Sequence, residues 1–149
     1  MFHIAPVPYP AIERHGVIGD RRTAALVAAD GTLDWLCLPD YDGNIVFGAL
    51  LDAEKGGYWR LGPALPRQGL QSYREDSAVL VTRWATPESE LELTDAMPWP
   101  MSERPPASEA QRVVLRHLSC LKGHADCVMD IFPRHDFGEA QLTMSSPHS

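Results

Sequence analysis

DGTLDWLCLPDYD, Asp30 to Asp42, is the stretch whose reading decides the fold. Asp30-Gly31 is a dipeptide favoured in tight hairpin turns because it tolerates positive φ. It separates two apolar runs, TAALVAA before it and TLDWLCL after it. In the second run Leu33, Trp35 and Cys37 share one face, while Asp34, Leu36 and Leu38 share the other. Both faces are largely apolar, which predicts a strand inside the protein. The pattern stops at Pro39 and turns acidic and aromatic at Asp40, Tyr41 and Asp42. Either the strand ends in a polar turn, or it delivers those three residues to a site.

Working outward, thirteen prolines and eleven glycines punctuate short apolar runs, the rhythm of an all-β chain. GYWRLGP, LQSYRE, AVLVTRWAT and ELELTDAMPW read as strands. The last two are joined through Pro87-Glu88-Ser89, and Leu91 and Leu93 point one way while Glu90, Glu92 and Thr94 point the other. NIVFGALL, Asn44 to Leu51, falls near helical spacing with Asn44 as N-cap and Lys55-Gly56-Gly57 as the stop, predicting a short helix near residues 44–52. PWPMSERPPASEAQ is a proline-rich polar loop. RVVLRHLSCLKGHADCVMDIFPRHDFG predicts a long hairpin turning near Gly123-His124. The expected architecture is a mainly β, antiparallel β-sandwich over residues 12–139. A short N-terminal extension (1–11) precedes it and a disordered tail (140–149) follows.

The totals exclude several classes. A net charge of −7 with scattered Lys and Arg argues against a nucleic-acid partner. No apolar run approaches the ~20 residues that span a bilayer, and the N-terminus lacks the basic and apolar regions of a secretory signal. Three cysteines fit a reducing compartment, so a cytoplasmic location is expected. Cys120 and Cys127 would meet across the expected last hairpin, but two small buried thiols are the simpler expectation. The six histidines show no ligand spacing, and no metal site or cofactor is expected.

The run IGDRRTAALVAADGTLDWLCLPDYD, then FGALLD, GGYWRLGP, SYRE, VLVTRW, LTDAMP and PRHDFG, resembles the N-terminal β-sandwich domain of bacterial and archaeal family 15 glycoside hydrolases, the glucoamylase/trehalase type. The resemblance covers about Ile12 to Gly138. It departs from the family pattern at Asp40, where an arginine is common, at Tyr41 for Phe and at Gly43 for Ser. Arg21 stands where a small residue is usual, while Arg22 matches the family's arginine. The resemblance implies that the catalytic glutamates lie in a C-terminal (α/α)₆ barrel, with inverting chemistry across roughly 6.5–9.5 Å. This chain alone is therefore expected to be a non-catalytic module. It also implies that the β domain continues beyond this chain, leaving open strand edges that invite self-association into a homo-oligomer.

Within that frame Asp40, Tyr41 and Asp42 are the substrate-binding candidates, since loops of the family's β domain pack near the barrel mouth. Carboxylate and aromatic side by side suit sugar hydroxyls and ring faces. The alternative is a turn in which the aspartates bond their own backbone. Arg22 would bridge to barrel or substrate, or fix its own loop through an ion pair with Asp20. Trp99, flanked by prolines, is the tryptophan expected at the surface, whereas Trp35 and Trp84 belong to the core. His135-Asp136 is no dyad, because adjacent strand positions face opposite ways. A glucan or trehalose is the expected ligand if the chain binds sugar alone.

Overall fold

The computed structural model describes residues 8–99 and 111–139, and these form two antiparallel sheets. The first takes β1 (His15–Gly19), β2 (Ala24–Ala28), β3 (Thr32–Leu38), β4 (Asn44–Phe47), β5 (Tyr58–Pro63) and β10 (Cys127–Phe132). Its order is β1-β2-β3-β5-β10, with β4 also on β3. The second runs β6-β7-β8-β9, from Leu70–Tyr73, Leu80–Ala85, Ser89–Ala96 and Leu115–Gly123. Single 3₁₀ turns, Ile12–Arg14 and His135–Gly138, flank the strands. No helix among the described residues is long and apolar enough to cross a membrane. Parts of the expected N-terminal extension and proline-rich loop, and the whole expected tail, lie outside the described residues.

The Asp30-Gly31 hairpin forms as its sequence dictates. Gly31 adopts φ 88°, and its N–H donates to Ala28 at 2.9 Å. The Asp30 carboxylate accepts the Thr32 N–H at 2.9 Å. A Cβ on Gly31 would run into the Leu61 carbonyl of the neighbouring strand. The turn is buried, so its glycine is needed for both φ and space.

The period-2 pattern decides which faces meet. On β8 Ser89, Leu91, Leu93 and Asp95 are buried and the residues between them are half-exposed. Ile18, Val27, Leu33, Leu36 and Phe47 of the first sheet pack with Leu80 and Met97 as one core cluster. Trp84, Leu91 and Leu93 form a second, against Leu61 and Leu118. The interior also holds a fully buried ion pair. Arg116 Nε lies 2.7 Å from Asp95 Oδ1, and both side chains are 0% exposed. Arg116 also donates to the Trp59 carbonyl (2.6 Å) and the Gly31 carbonyl (2.8 Å) and lies over the Trp59 ring. One side chain of the second sheet thus ties β5 and the β2–β3 turn of the first.

Two expectations are corrected. Asn44–Phe47 is a strand, not the start of a helix: Leu36, Cys37 and Leu38 pair with Phe47, Ile45 and Asn44. β5 covers only Thr32 and Leu33 of that edge of β3, so the rest needs a partner, and β-branched Ile45 and Val46 suit a pleated surface. The following residues turn rather than coil, with Gly48 N–H donating to the Gly56 carbonyl at 2.6 Å. The second correction concerns the expected last hairpin. β9 pairs with β8 over its whole length, and β10 pairs with β5 from Cys127↔Pro63 to Phe132↔Tyr58. Each sheet offers an open edge at this end, so the short link after Gly123 changes layer instead of folding β10 back on β9. Cys120 and Cys127 are accordingly free and exposed, not buried.

Candidate functional site

The loop between β1 and β2 and the loop after β3 meet at one end of the first sheet. Asp20 organises the first loop, its carboxylate accepting the N–H groups of Arg22 (3.0 Å) and Thr23 (2.9 Å). Thr23, fully buried, donates its hydroxyl to the Cys37 carbonyl at 2.6 Å and pins the loop to β3. Arg21 takes up φ 70°, a strained conformation for a side-chain-bearing residue.

That loop carries Arg22 onto the second. Its Nε donates to Asp40 Oδ1 at 2.9 Å, and its carbonyl accepts the Tyr41 N–H at 2.9 Å. The Gly43 N–H closes the turn on the Asp40 carbonyl. Arg112, from the segment leading into β9, enters from a third direction. Its Nε donates to the Pro39 carbonyl at 2.9 Å, and its guanidinium lies 3.6 Å from both Asp20 and Asp40. Arg21, next door, lies 5.0 Å over the Trp99 ring, a cation–π contact.

The sequence candidates therefore share one corner. Arg22 grips Asp40, Trp99 joins through Arg21, and Tyr41 is bound by its backbone alone. Asp42 is exposed beside them. Tyr41 is 62% and Trp99 53% exposed, and the Asp40 side chain keeps 38% exposure, so aromatic faces and one carboxylate face outward. Asp20 pairs with Arg112 and the backbone rather than with Arg22. The sequence reading did not include Arg112, whose only sequence signal is a basic residue just before a strand. Among the described residues no group of three or more His, Cys, Asp and Glu side chains could hold a metal ion.

A second polar group, also outside the sequence reading, lies on the outer side of the same sheet. His15 Nε2 meets Asp34 Oδ2 at 2.8 Å, both side chains almost wholly covered. His15 Nδ1 faces the carbonyls of Ala11 and Ile12 at 3.1 and 3.2 Å. Both ring nitrogens thus face acceptors, which favours the doubly protonated ring. Burial works against that charge, but the Asp34 bond and charge, helped by the two carbonyls, outweigh it and raise the His15 pKa. Burial also raises the Asp34 pKa, despite the opposing His15 bond and charge, with Asp30 adding to the rise. Both directions mean the same thing: the pair holds on to one proton.

The family model for the trehalase-like N-terminal domain matches residues 6–149. A trehalase of Mycolicibacterium smegmatis is 32% identical over 148 residues, covering 91% of this chain and 22% of the relative. One from Mycobacterium tuberculosis is 30% identical over 142 residues, 87% of this chain and 21% of the relative. A trehalase of Thermoplasma volcanium is 45% identical over 93 residues, 60% of this chain and 15% of that protein. No solved structure matches. The chain spans about a fifth of the length of the two mycobacterial trehalases. With the signature stretch folded as the central hairpin of the first sheet, the chain belongs to the trehalase-like N-terminal domain family.

Proposed function

We propose that this chain is the non-catalytic N-terminal module of a family 15 glycoside hydrolase of trehalase type. It braces an (α/α)₆ catalytic barrel, of the same or a separate polypeptide, and edges its sugar pocket with the Asp40–Asp42 corner. The observation that carries this reading is extent: an N-terminal domain model takes in residues 6–149, while the trehalases it resembles are several times longer. Trehalases among the relatives favour trehalose over starch as that partner's substrate.

The chemistry of the corner agrees. Glycoside hydrolysis needs one carboxyl group to give a proton and another to activate water or attack. Here Asp20 is spent on backbone N–H groups and Arg112, and Asp40 is held by arginines, so the corner positions rather than reacts. Its charges also balance, with Asp20, Asp40 and Asp42 against Arg21, Arg22 and Arg112. That suits a neutral partner, a sugar or a protein surface. β9 and β10 have no strand on their outer edges among the described residues, and Leu115, Leu121, Met129 and Phe132 on them are exposed. Such edges suit a covering partner. Three free thiols support a reducing, cytoplasmic setting.

Mixing the chain with a separately produced trehalase barrel tests the brace. Co-elution and a gain in glucose release from trehalose are expected; no association and no gain would sink it. Exposed Trp99 and Tyr41 favour a second reading, direct sugar binding by the chain alone. Calorimetric titration with maltose and trehalose decides that one, since no heat at millimolar sugar excludes it. The open edges equally favour self-association, which a monodisperse monomer in light scattering would exclude.

A further inference from the structure

The outer face of the first sheet carries a cavity of about 670 Å³ that the corner does not use. This is the size of pockets that enclose small organic molecules. Thr32 and Asp34 flank the core residue Leu33 on β3 and line this cavity; Asp34 is the extra residue of a bulge, since Leu26 and Val27 of β2 face Trp35 and Leu33. Tyr58 of β5 lines the floor beside them, and Tyr9 with the turn after β4 forms the rim. That rim is built: the Ala53 N–H donates to the Tyr9 hydroxyl at 3.2 Å. Asp52 Oδ1 accepts the N–H groups of Glu54 and Lys55 at 3.0 and 2.9 Å. The Leu50 N–H donates to the Asp34 carbonyl at 3.1 Å.

Two buried polar atoms of the lining residues lack a protein partner. Asp34 Oδ1 and Thr32 Oγ1 have no hydrogen-bond partner among the described residues, though the residues are only 3% and 4% exposed. Buried polar atoms are ordinarily bonded. His15 satisfies Asp34 Oδ2 from behind and leaves Oδ1 needing a donor. Among the described residues the lining holds three carboxylates, Asp34, Asp52 and Glu54, and no Lys, Arg or His. With His15 protonated the buried pair is neutral, so Asp52 and Glu54 set the sign of the field in the cavity.

We propose that this cavity binds a small organic cation, an ammonium or amidinium group on an apolar body. Its N–H groups donate to Asp34 Oδ1 and Thr32 Oγ1, while the rings of Tyr9 and Tyr58 hold the body. Carboxylates repel an anion. A neutral polyol would satisfy the hydrogen bonds but leave the negative charge of Asp52 and Glu54 unanswered. The site is separate from the Asp40 corner and requires no catalytic partner.

Benzylamine is the probe, titrated into the isotope-labelled chain while the amide resonances of residues 49–54 are followed. Benzyl alcohol is the neutral isostere, benzoate the anion and trehalose the polyol. Benzylamine is expected to bind with a Kd of about 1 mM or tighter, at least about tenfold tighter than benzyl alcohol. Asp34→Asn keeps the volume and a bond to His15 and should weaken binding about tenfold, as loss of a charge-assisted hydrogen bond does. Glu54→Gln on the exposed rim, which risks nothing in the core, should weaken it about two- to threefold. Ala53→Trp should block the mouth, so these two variants decide should Asp34→Asn fail to fold. Benzyl alcohol or trehalose binding as tightly as the amine would overturn the proposal. So would an amine affinity untouched by the variants that fold, or unmoved 49–54 amides.

Discussion

Replacing Arg116 by methionine tests whether the two sheets are held by one buried side chain. The substitution keeps an unbranched apolar stem but removes the guanidinium, which makes two bonds to Asp95 and one each to the carbonyls of Trp59 and Gly31. Asp95 then sits at 0% exposure with no cation. Removing one member of a buried pair costs about 3–5 kcal/mol, mostly because the other charge is stranded. Against the ~5–15 kcal/mol that holds a domain together, this is a large fraction. In urea, with a slope of about 2 kcal/mol per molar, the midpoint should fall by roughly 2 M. The double variant Asp95→Leu/Arg116→Met removes both charges and should regain most of that loss, because apolar replacement of a whole buried pair is often neutral. Arg83→Ala is the control: Arg83 pairs with Glu92 at 2.7 Å on the solvated face, its side chain 57% exposed, and should cost at most about 1 kcal/mol. An Arg116→Met loss no larger than that of Arg83→Ala, with no recovery in the double variant, would refute the inter-sheet role.

Two further outcomes follow from local geometry. Because the folded pKa of both His15 and Asp34 is raised, folding takes up protons between the unfolded and folded values. The stabilisation is complete below the unfolded pKa of each group. It is lost with rising pH, for Asp34 from its ordinary value of 3.8 upward and for His15 from 6.5 upward. Thermal melts should therefore show the wild type losing more of its Tm than His15→Gln between the mildly acidic and mildly alkaline range; parallel profiles would contradict the shared proton. Gly31→Ala should destabilise by well over about 1 kcal/mol in urea unfolding, since positive φ and a collision with the Leu61 carbonyl act together. A neutral result would mean the buried hairpin turn is not as tight as described.

What the sequence disclosed and what it hid divide along the range of the signals. The Asp30-Gly31 turn and the alternation of β8 are local, set by neighbours two residues apart, and they are present as read. NIVF carried equal local support for helix and strand, and an unfilled stretch of β3 edge, distant in sequence, decided it. The layer change between β9 and β10 likewise depends on which sheet edges stand open in space. Asp95 was within reach, because carrying the Leu91, Leu93 alternation one step further places a carboxylate on the buried face. Arg116 holds the matching position before Leu118. Asp34 had the same signal, an acid in a largely apolar strand, but nothing local pointed to His15. At the corner, the Arg22–Asp40 contact joins two loops that only the pairing of β2 with β3 brings side by side.

On the two proposals, the polar regions of the first sheet serve different partners. At the corner every acidic side chain but Asp42 is matched by an arginine within 4 Å, so an approaching surface meets little net charge and two exposed aromatic rings. Such a surface selects by shape and stacking, as contact with a sugar or a neutral protein face requires. The cavity works the other way: among the described residues its lining carries no cation, Asp34 is paired with His15 outside the lining, and Asp52 and Glu54 have no charged partner within it. A brace needs the first kind of surface and has no use for the second. Asp34→Leu/His15→Leu, which removes the pair whole, should leave association with a trehalase barrel intact while abolishing benzylamine binding. Loss of both together would tie the cavity to the brace and collapse the division drawn between them.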